Sequence, residues 1–150
     1  IAAAGPFSRV VGIDRQLLLL EGDGVNLSSD EAGLNVNLLA DDTVLAFSGD
    51  VDMNSELLGG AVRDFNVMVK RGVWQARVKV WTEASSVQAQ AGLVVQTQGQ
   101  ARCSVADGAA TFKTGQGGWW QEGGQTLHWQ PLSVDAKAIV VALCALDAQS

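Results

Sequence analysis

Turn signals recur roughly every 6 to 12 residues along this chain, and that spacing limits the fold more than any single motif does. The clearest of these segments, rich in Gly, Asp and Ser, lie at 22–24, 29–33, 48–50, 106–108 and 114–118. The runs between them are short and either apolar or alternating, and no segment shows the roughly 3.6-residue period of an amphipathic helix. The pattern predicts an all-β protein, built as a sandwich or a barrel.

The individual strands are predicted from the same pattern. They lie at 16–21, 25–28, 34–39, 43–47, 63–70, 73–81, 92–98, 101–105, 109–113, 125–130 and 136–146. Segment 2–6 is predicted as a turn or short connector, 7–15 as a loop between strands, and 82–91 as a second connector.

Composition and charge exclude several classes of protein. The 150 residues fit one domain or two small halves, and 47% hydrophobic content is enough for a core. A net charge of -6 argues against a nucleic-acid surface, which needs clustered Lys and Arg. No apolar run approaches the roughly 20 residues of a membrane helix. Because no basic leader precedes an apolar run, we expect a cytoplasmic protein, with Cys103 and Cys144 reduced and buried.

The sequence offers little material for metal or nucleophile chemistry. His128 is the only histidine, whereas a β-barrel metal site needs two or three imidazoles plus a carboxylate. Neither cysteine lies in a metal-ligand spacing, and there is no Gly-x-Ser-x-Gly motif. We therefore predict a structural role for His128, no metal and no cofactor.

Segment 63–70 carries the most unusual local pattern. As a strand it places Phe65 and Val67 on one face and Asp64 and Asn66 on the other, although Asp and Asn are depleted in strands. Two interpretations stay open: the polar pair bonds to a nearby turn, or it orients a ligand inside a cavity. It is equally open which face of the strand points inward.

Several motifs together resemble the HutD/Ves family. They occur in the family's order and at similar spacing: GPFS at 5–8, GIDR at 12–15, LLLEGDG at 18–24, AFSGD at 46–50 and RDFNVM at 63–68. A weaker resemblance runs from Trp119 and Trp120 to the last strand. Two features depart from the family pattern: Val10-Val11-Gly12 replaces Phe-Pro-Gly, and the family's opening segment, with its Trp and Asn-Gly-Gly-Gly-Thr motif, is absent.

The resemblance implies a fold and a biological setting. The expected fold is a cupin-like β-barrel, or double-stranded β-helix, in a bicupin arrangement, with a first half at 1–82 and a second half at 83–150. The first half is expected to lack its N-terminal part, because the family's opening segment is absent and the chain starts at Ile1 without Met. Two alternatives stay open: the chain is a fragment of the protein, or it is a divergent member whose pocket is incomplete. One branch of the family is encoded with histidine-utilisation genes and is thought to bind a pathway intermediate and restrain the pathway. The implied ligand is urocanate or formylglutamate.

The expected function is therefore non-enzymatic binding of a small carboxylate. Asp64 and Asn66 are the candidate ligand-binding residues by match to the family, and Arg15 and Arg63 are added because a guanidinium suits a carboxylate. The alternatives are a metal-independent cupin enzyme, using Asp64, His128 or a Glu as acid or base, and a Ves-like stress-inducible protein without a defined ligand. A further alternative is an interaction module whose Trp-rich second half forms a homodimer. No nucleic-acid or membrane partner is expected.

Overall fold

Every regular element in the described part of this computed structural model, residues 1–121 and 124–146, is a β-strand. The fifteen strands are β1 (Gly5–Phe7), β2 (Ile13–Glu21), β3 (Val25–Ser29), β4 (Leu34–Leu38), β5 (Leu45–Ser48), β6 (Met53–Leu57), β7 (Arg63–Lys70), β8 (Trp74–Trp81), β9 (Ser85–Gln88), β10 (Ala91–Gln98), β11 (Gln100–Val105), β12 (Gly108–Lys113), β13 (Gly117–Gln121), β14 (Thr126–Pro131) and β15 (Lys137–Ala145). All strand pairs are antiparallel. The predicted all-β class is confirmed, and within these residues no helix could span a membrane.

The chain divides into two compact units, unit 1 at Ile1–Arg71 and unit 2 at Gly72–Ser150. The division therefore falls before the predicted boundary between 82 and 83. The reason is that β8 pairs along its whole length with β15, from Trp81 opposite Ala138 to Trp74 opposite Ala145. This pairing places β8 in unit 2.

Unit 1 consists of two sheets, with strand orders β1-β6-β3-β4 and β5-β2-β7. Its core contains Leu17 and Leu19 from β2 together with Val25 and Leu27 from β3, all at most 2% exposed. Because side chains alternate along a strand, Arg15, Leu17 and Leu19 share the face of β2 that points to the core of unit 1. This face contains the candidate site.

The register of β7 settles which of its faces points inward. Asn66 lies opposite Leu17 and Asp64 lies opposite Leu19, so both share the core-facing side of the sheet. Phe65 lies opposite Leu18 and therefore belongs to the other face. The polar pair, rather than the apolar pair, faces the interior of unit 1.

Unit 2 also consists of two sheets, with strand orders β13-β10-β15-β8 and β12-β11-β14-β9. Its core includes Trp81 and Trp129, whose ring centroids are 6.2 Å apart. Gln96 is fully buried beside them, and its Oε1 accepts a hydrogen bond of 3.0 Å from Nε1 of Trp129. The Gln96 Nε2 donates to the Gln98 carbonyl at 2.8 Å, so this buried amide is satisfied at both ends.

Four short strands, β1, β6, β9 and β13, were missed by the sequence pattern; β13 overlaps the predicted turn at 114–118 and is an edge strand that pairs with β10. β1 spans the end of the predicted connector 2–6 and the start of the predicted loop 7–15, and it pairs with β6. β9 lies in the predicted connector 82–91 and pairs with β14. β1 and β9 are at sheet edges. Such strands need only one hydrogen-bonded neighbour, and their short, partly polar sequences give a weak alternation signal.

Candidate functional site

A buried arginine lies on the inner face of unit 1. The side chain of Arg15 is only 5% exposed, although Arg is rarely buried without a partner. Its Cζ lies 5.3 Å from the ring centroid of Phe7 and 5.0 Å from that of Phe47. Phe47 is the cross-strand neighbour of Arg15 on β5, whereas Phe7 comes from β1 in the other sheet. The guanidinium is therefore held against two aromatic faces, an arrangement that stabilises a cation.

Arg15 keeps an unused hydrogen-bond donor. Its Nη1 donates to the Ser8 carbonyl at 3.3 Å, but its Nε is buried and has no hydrogen-bond partner among the described residues. Burial lowers the pKa of Arg15, and the negative charge of Asp64 acts in the opposite direction. Because the ordinary pKa of arginine lies far above neutrality, the guanidinium remains charged at neutral pH. Leaving a buried donor unsatisfied costs about 1–3 kcal/mol.

Asn66 provides an unused acceptor on the same face. Its Oδ1 is buried and, within the described part of the chain, has no hydrogen-bond partner. Arg15 is opposite Met68 and Leu17 is opposite Asn66, so Arg15 and Asn66 are diagonal neighbours on adjacent strands. Diagonal neighbours are about 7 Å apart, within reach of a long side chain or a small bound molecule. The inner face thus presents one cationic donor and one neutral acceptor.

The two remaining predicted residues have different positions. Asp64 lies on the inner face with a side chain that is 21% exposed, and its Oδ1 is 3.5 Å from the nitrogen of Ile1. Arg63 is 66% exposed and pairs with Glu21 at 2.7 Å. The structure therefore groups Arg15, Asp64 and Asn66 and leaves Arg63 on the surface. Strand alternation explains this, because adjacent residues of β7 point to opposite faces.

Sequence reasoning missed the two aromatic walls of the site. Phe7 lies in the motif at 5–8 and Phe47 in the motif at 46–50, both of which served only to recognise the family resemblance. In the family resemblance, both motifs occur together with the motif at 12–15 that contains Arg15. This association was the signal that could have linked the two phenylalanines to Arg15. What the sequence could not give is that they approach Arg15 from different sheets.

In the described part of unit 2, a cavity lies at each open side of the sandwich. At one side the edge strands are β12 and β13, and at the other they are β8 and β9. The first cavity, of about 390 Å³, is called the apolar cavity; its lining includes Val94, Cys103, Phe112, Trp119, Trp120 and Leu127. The second, of about 400 Å³, is called the arginine cavity; its lining includes Gln75, Arg77, Gln88, Gln90 and Cys144.

The two thiols of unit 2 differ in environment. Cys103 is buried in the core, and desolvation raises its pKa to about 11. Cys144 is exposed, so the expectation that both cysteines are buried is wrong for Cys144. It fails because the inward-facing row of β15 runs from buried Ala138 and Val140 to an exposed end at Cys144. Both cysteines are free.

His128 lies on β14, is exposed, and has Ser86 and Ser104 as its cross-strand neighbours. It lines a third concavity, of about 380 Å³, together with Arg102. Among residues 1–121 and 124–146, no group of three His, Cys, Asp or Glu side chains could hold a metal ion. The prediction that purified protein carries no stoichiometric metal stays a prediction.

In sequence, the chain matches a family model and individual known proteins. The family model described as HutD matches residues 1–141. An uncharacterized 21.2 kDa protein in the hutC 3' region of Pseudomonas putida is 36% identical over 86 residues, which cover 57% of this chain and 44% of that protein. Protein Ves from Cronobacter sakazakii is 32% identical over 130 residues, which cover 85% of this chain and 68% of that protein. The match thus spans less than half the length of the Pseudomonas putida protein.

Solved structures match in fold. A conserved protein of unknown function from Pseudomonas aeruginosa has a TM-score of 0.87 at 25% identity, covering 98% of this chain and 80% of that one. HutD from Pseudomonas fluorescens has a TM-score of 0.79 at 21% identity, covering 97% and 75%. A cupin 2 conserved barrel domain protein from Leptotrichia buccalis has a TM-score of 0.58 at 10% identity, covering 96% and 80%. The predicted cupin-like fold is confirmed.

Proposed function

The chain belongs to the HutD family, whose model matches residues 1–141, and on that premise we propose that it binds a small carboxylate on the inner face of unit 1 without transforming it. In this proposal the ligand is urocanate or formylglutamate, and binding modulates histidine utilisation in the cytoplasm. The two compact units then correspond to the two cupin-like halves of a bicupin. The gene neighbourhood named for the Pseudomonas putida relative supports the pathway.

The proposal rests on one observation: among the described residues, the buried Nε of Arg15 and the buried Oδ1 of Asn66 have no hydrogen-bond partner, and the two residues are diagonal neighbours on one face of the sheet. A buried donor and a buried acceptor that lack partners are costly in the empty protein, and a ligand that pairs with both removes that cost. The ligand must offer an anionic acceptor to Arg15 and an N–H to Asn66. Urocanate has a carboxylate and an imidazole N–H, and formylglutamate has carboxylates and an amide N–H.

Asp64 adds a preference for low ligand charge. Its carboxylate interacts electrostatically with Arg15, so a second ligand carboxylate placed beside Asp64 would be repelled. We therefore expect the monoanion urocanate to bind more tightly than the dianion formylglutamate.

Calorimetry on wild type and two variants, Arg15→Gln and Arg77→Gln, tests the proposal. Wild type should bind urocanate, and Arg15→Gln should weaken binding at least tenfold because the guanidinium is lost. Arg77→Gln is the matched control, since Arg77 lines the arginine cavity of unit 2 and forms no ion pair with another described residue. If Arg77→Gln abolishes binding while Arg15→Gln does not, the carboxylate site lies in unit 2 and the assignment to Arg15 is wrong.

The enzyme alternative needs a separate measurement. Each ligand is incubated overnight with wild-type protein and analysed by chromatography. Recovery of unchanged ligand supports a binding protein, whereas protein-dependent conversion that is lost in Asp64→Asn would make the chain an enzyme.

A further inference from the structure

We propose that the apolar cavity of unit 2 is a second binding site, for a small neutral aromatic molecule. It lies between β12 and β13, which are edge strands of different sheets. At its inner end the cavity meets core side chains, with Val94 1% and Leu127 7% exposed. An opening of about 390 Å³ that reaches the core has the size of a small-molecule pocket.

Aromatic side chains form the walls. The rings of Phe112 and Trp120 line the cavity and are only partly buried, so a bound ring would cover apolar surface that is now in water. Trp120 is fixed in position because its Nε1 donates to the Ala89 carbonyl at 3.1 Å. Its ring also lies directly over Gly92, where a Cβ would be 2.6 Å from the ring carbons. The glycine thus lets a rigid aromatic wall form.

The lining excludes a charged ligand. Among the described residues that line it, none is Asp, Glu, Lys, Arg or His, and its polar residues include Ser104 and Gln125. Cys103, at the inner end, has its pKa raised to about 11 by burial and is a neutral thiol at physiological pH. A carboxylate entering this cavity would lose water without gaining a counter-charge, which is costly. The ligand class therefore differs from that of the proposed site in unit 1.

The probe for this site is 5-fluoroindole, followed by ¹⁹F NMR line broadening, with 5-fluoroindole-2-carboxylate as its charged counterpart. Wild type should bind the neutral probe saturably and at least tenfold more tightly than the carboxylate. Ala110 and Thr111 are adjacent exposed residues of β12, but Ala110 is opposite Cys103 and Thr111 is opposite Arg102. Ala110→Phe should therefore fill the cavity and weaken binding at least tenfold, whereas Thr111→Phe should change it less than twofold.

The labelling rates of the two cysteines test ligand binding in the wild-type protein. Methyl methanethiosulfonate is a small neutral thiol reagent, and mass spectrometry separates its addition to Cys103 from its addition to Cys144. Saturating 5-fluoroindole should slow labelling of Cys103 at least fivefold and leave Cys144 unchanged. Equal effects on both thiols, absence of saturable binding, or undiminished binding to Ala110→Phe would overturn the proposal. Broadening that appears only when sedimentation shows self-association would also overturn it, by assigning the Trp-rich surface to a dimer.

Discussion

Replacing Asn66 with leucine should make the unliganded protein more stable and urocanate binding weaker. Oδ1 of Asn66 is buried on the inner face of β7, opposite Leu17, and has no partner among the described residues. Leucine is of similar size and has no polar atom, so Asn66→Leu removes the desolvated carbonyl without opening a cavity. A residue that serves only the fold would give the opposite change in stability.

The magnitudes follow from the burial of that oxygen. An unsatisfied buried acceptor costs about 1–3 kcal/mol, and since Asn66 as a whole is only partly buried we expect a gain in unfolding free energy of about 1–2 kcal/mol. With a urea dependence of about 2 kcal/mol per molar, the unfolding midpoint should rise by roughly 0.5–1 M. Losing one ligand hydrogen bond should cost about 1 kcal/mol, or up to about 3 kcal/mol, which is a roughly five- to hundredfold loss of affinity.

Urea unfolding measures the change in unfolding free energy, and calorimetry measures the change in urocanate affinity. All the tryptophans lie in unit 2, so fluorescence follows that unit as an internal reference while circular dichroism follows both units. Asn54→Leu is the matched control, because Asn54 is an exposed asparagine on β6 of the same unit; it should change neither quantity. Asn66→Ala should weaken binding like Asn66→Leu. Destabilisation of Asn66→Leu by more than about 1 kcal/mol, or unchanged affinity in either variant, would refute the reasoning.

Three further outcomes are expected. Elemental analysis should find no stoichiometric zinc, iron or manganese, because one histidine leaves too few ligands; one tightly held metal per chain would contradict this. Arg71 lowers the pKa of Asp50 by a direct hydrogen bond. Asp50 therefore contributes to stability above its unfolded pKa of about 4, and this contribution is lost as the pH falls through the lower pKa of the folded state. Urea unfolding from pH 6 to pH 2 should therefore show a steeper acid loss in wild type than in Arg71→Gln, and equal slopes would contradict the linkage. Thiol titration of unfolded, unreduced protein should find both cysteines free, and in native protein Cys144 should react much faster than Cys103; absence of free thiol would remove the cytoplasmic proposal.

The fold class followed from turn spacing because a chain interrupted this often has no room for helices and must bury its short apolar runs in sheets. Individual strands were harder where the sequence is polar. β6, for example, turns only Met53 and Ser55 inward along most of its length. The boundary between units depended on the pairing of β8 with β15, and no local pattern reports which distant strand will pair with which.

The candidate site was only partly readable from the sequence. Alternation placed Asp64 and Asn66 on a common face, and the same rule was sufficient to exclude Arg63 from it. The burial of Arg15 was not predictable, because arginine is usually exposed and its position depends on Phe7 and Phe47 arriving from different sheets. A buried cation held by tertiary contacts leaves no local signature in the chain.

The position of β15 inside its sheet has a consequence during synthesis. β15 lies between β10 and β8, so neither of these strands has its inner partner until the chain has emerged as far as Ala145. The pairings of unit 1 are complete by Lys70, and that unit can form its sheets while the ribosome is still adding the later strands, since domains generally fold as units in N-to-C order. Unit 2 must instead wait with the facing edges of β8 and β10 unpaired, so it is exposed to pairing with other chains for longer than unit 1.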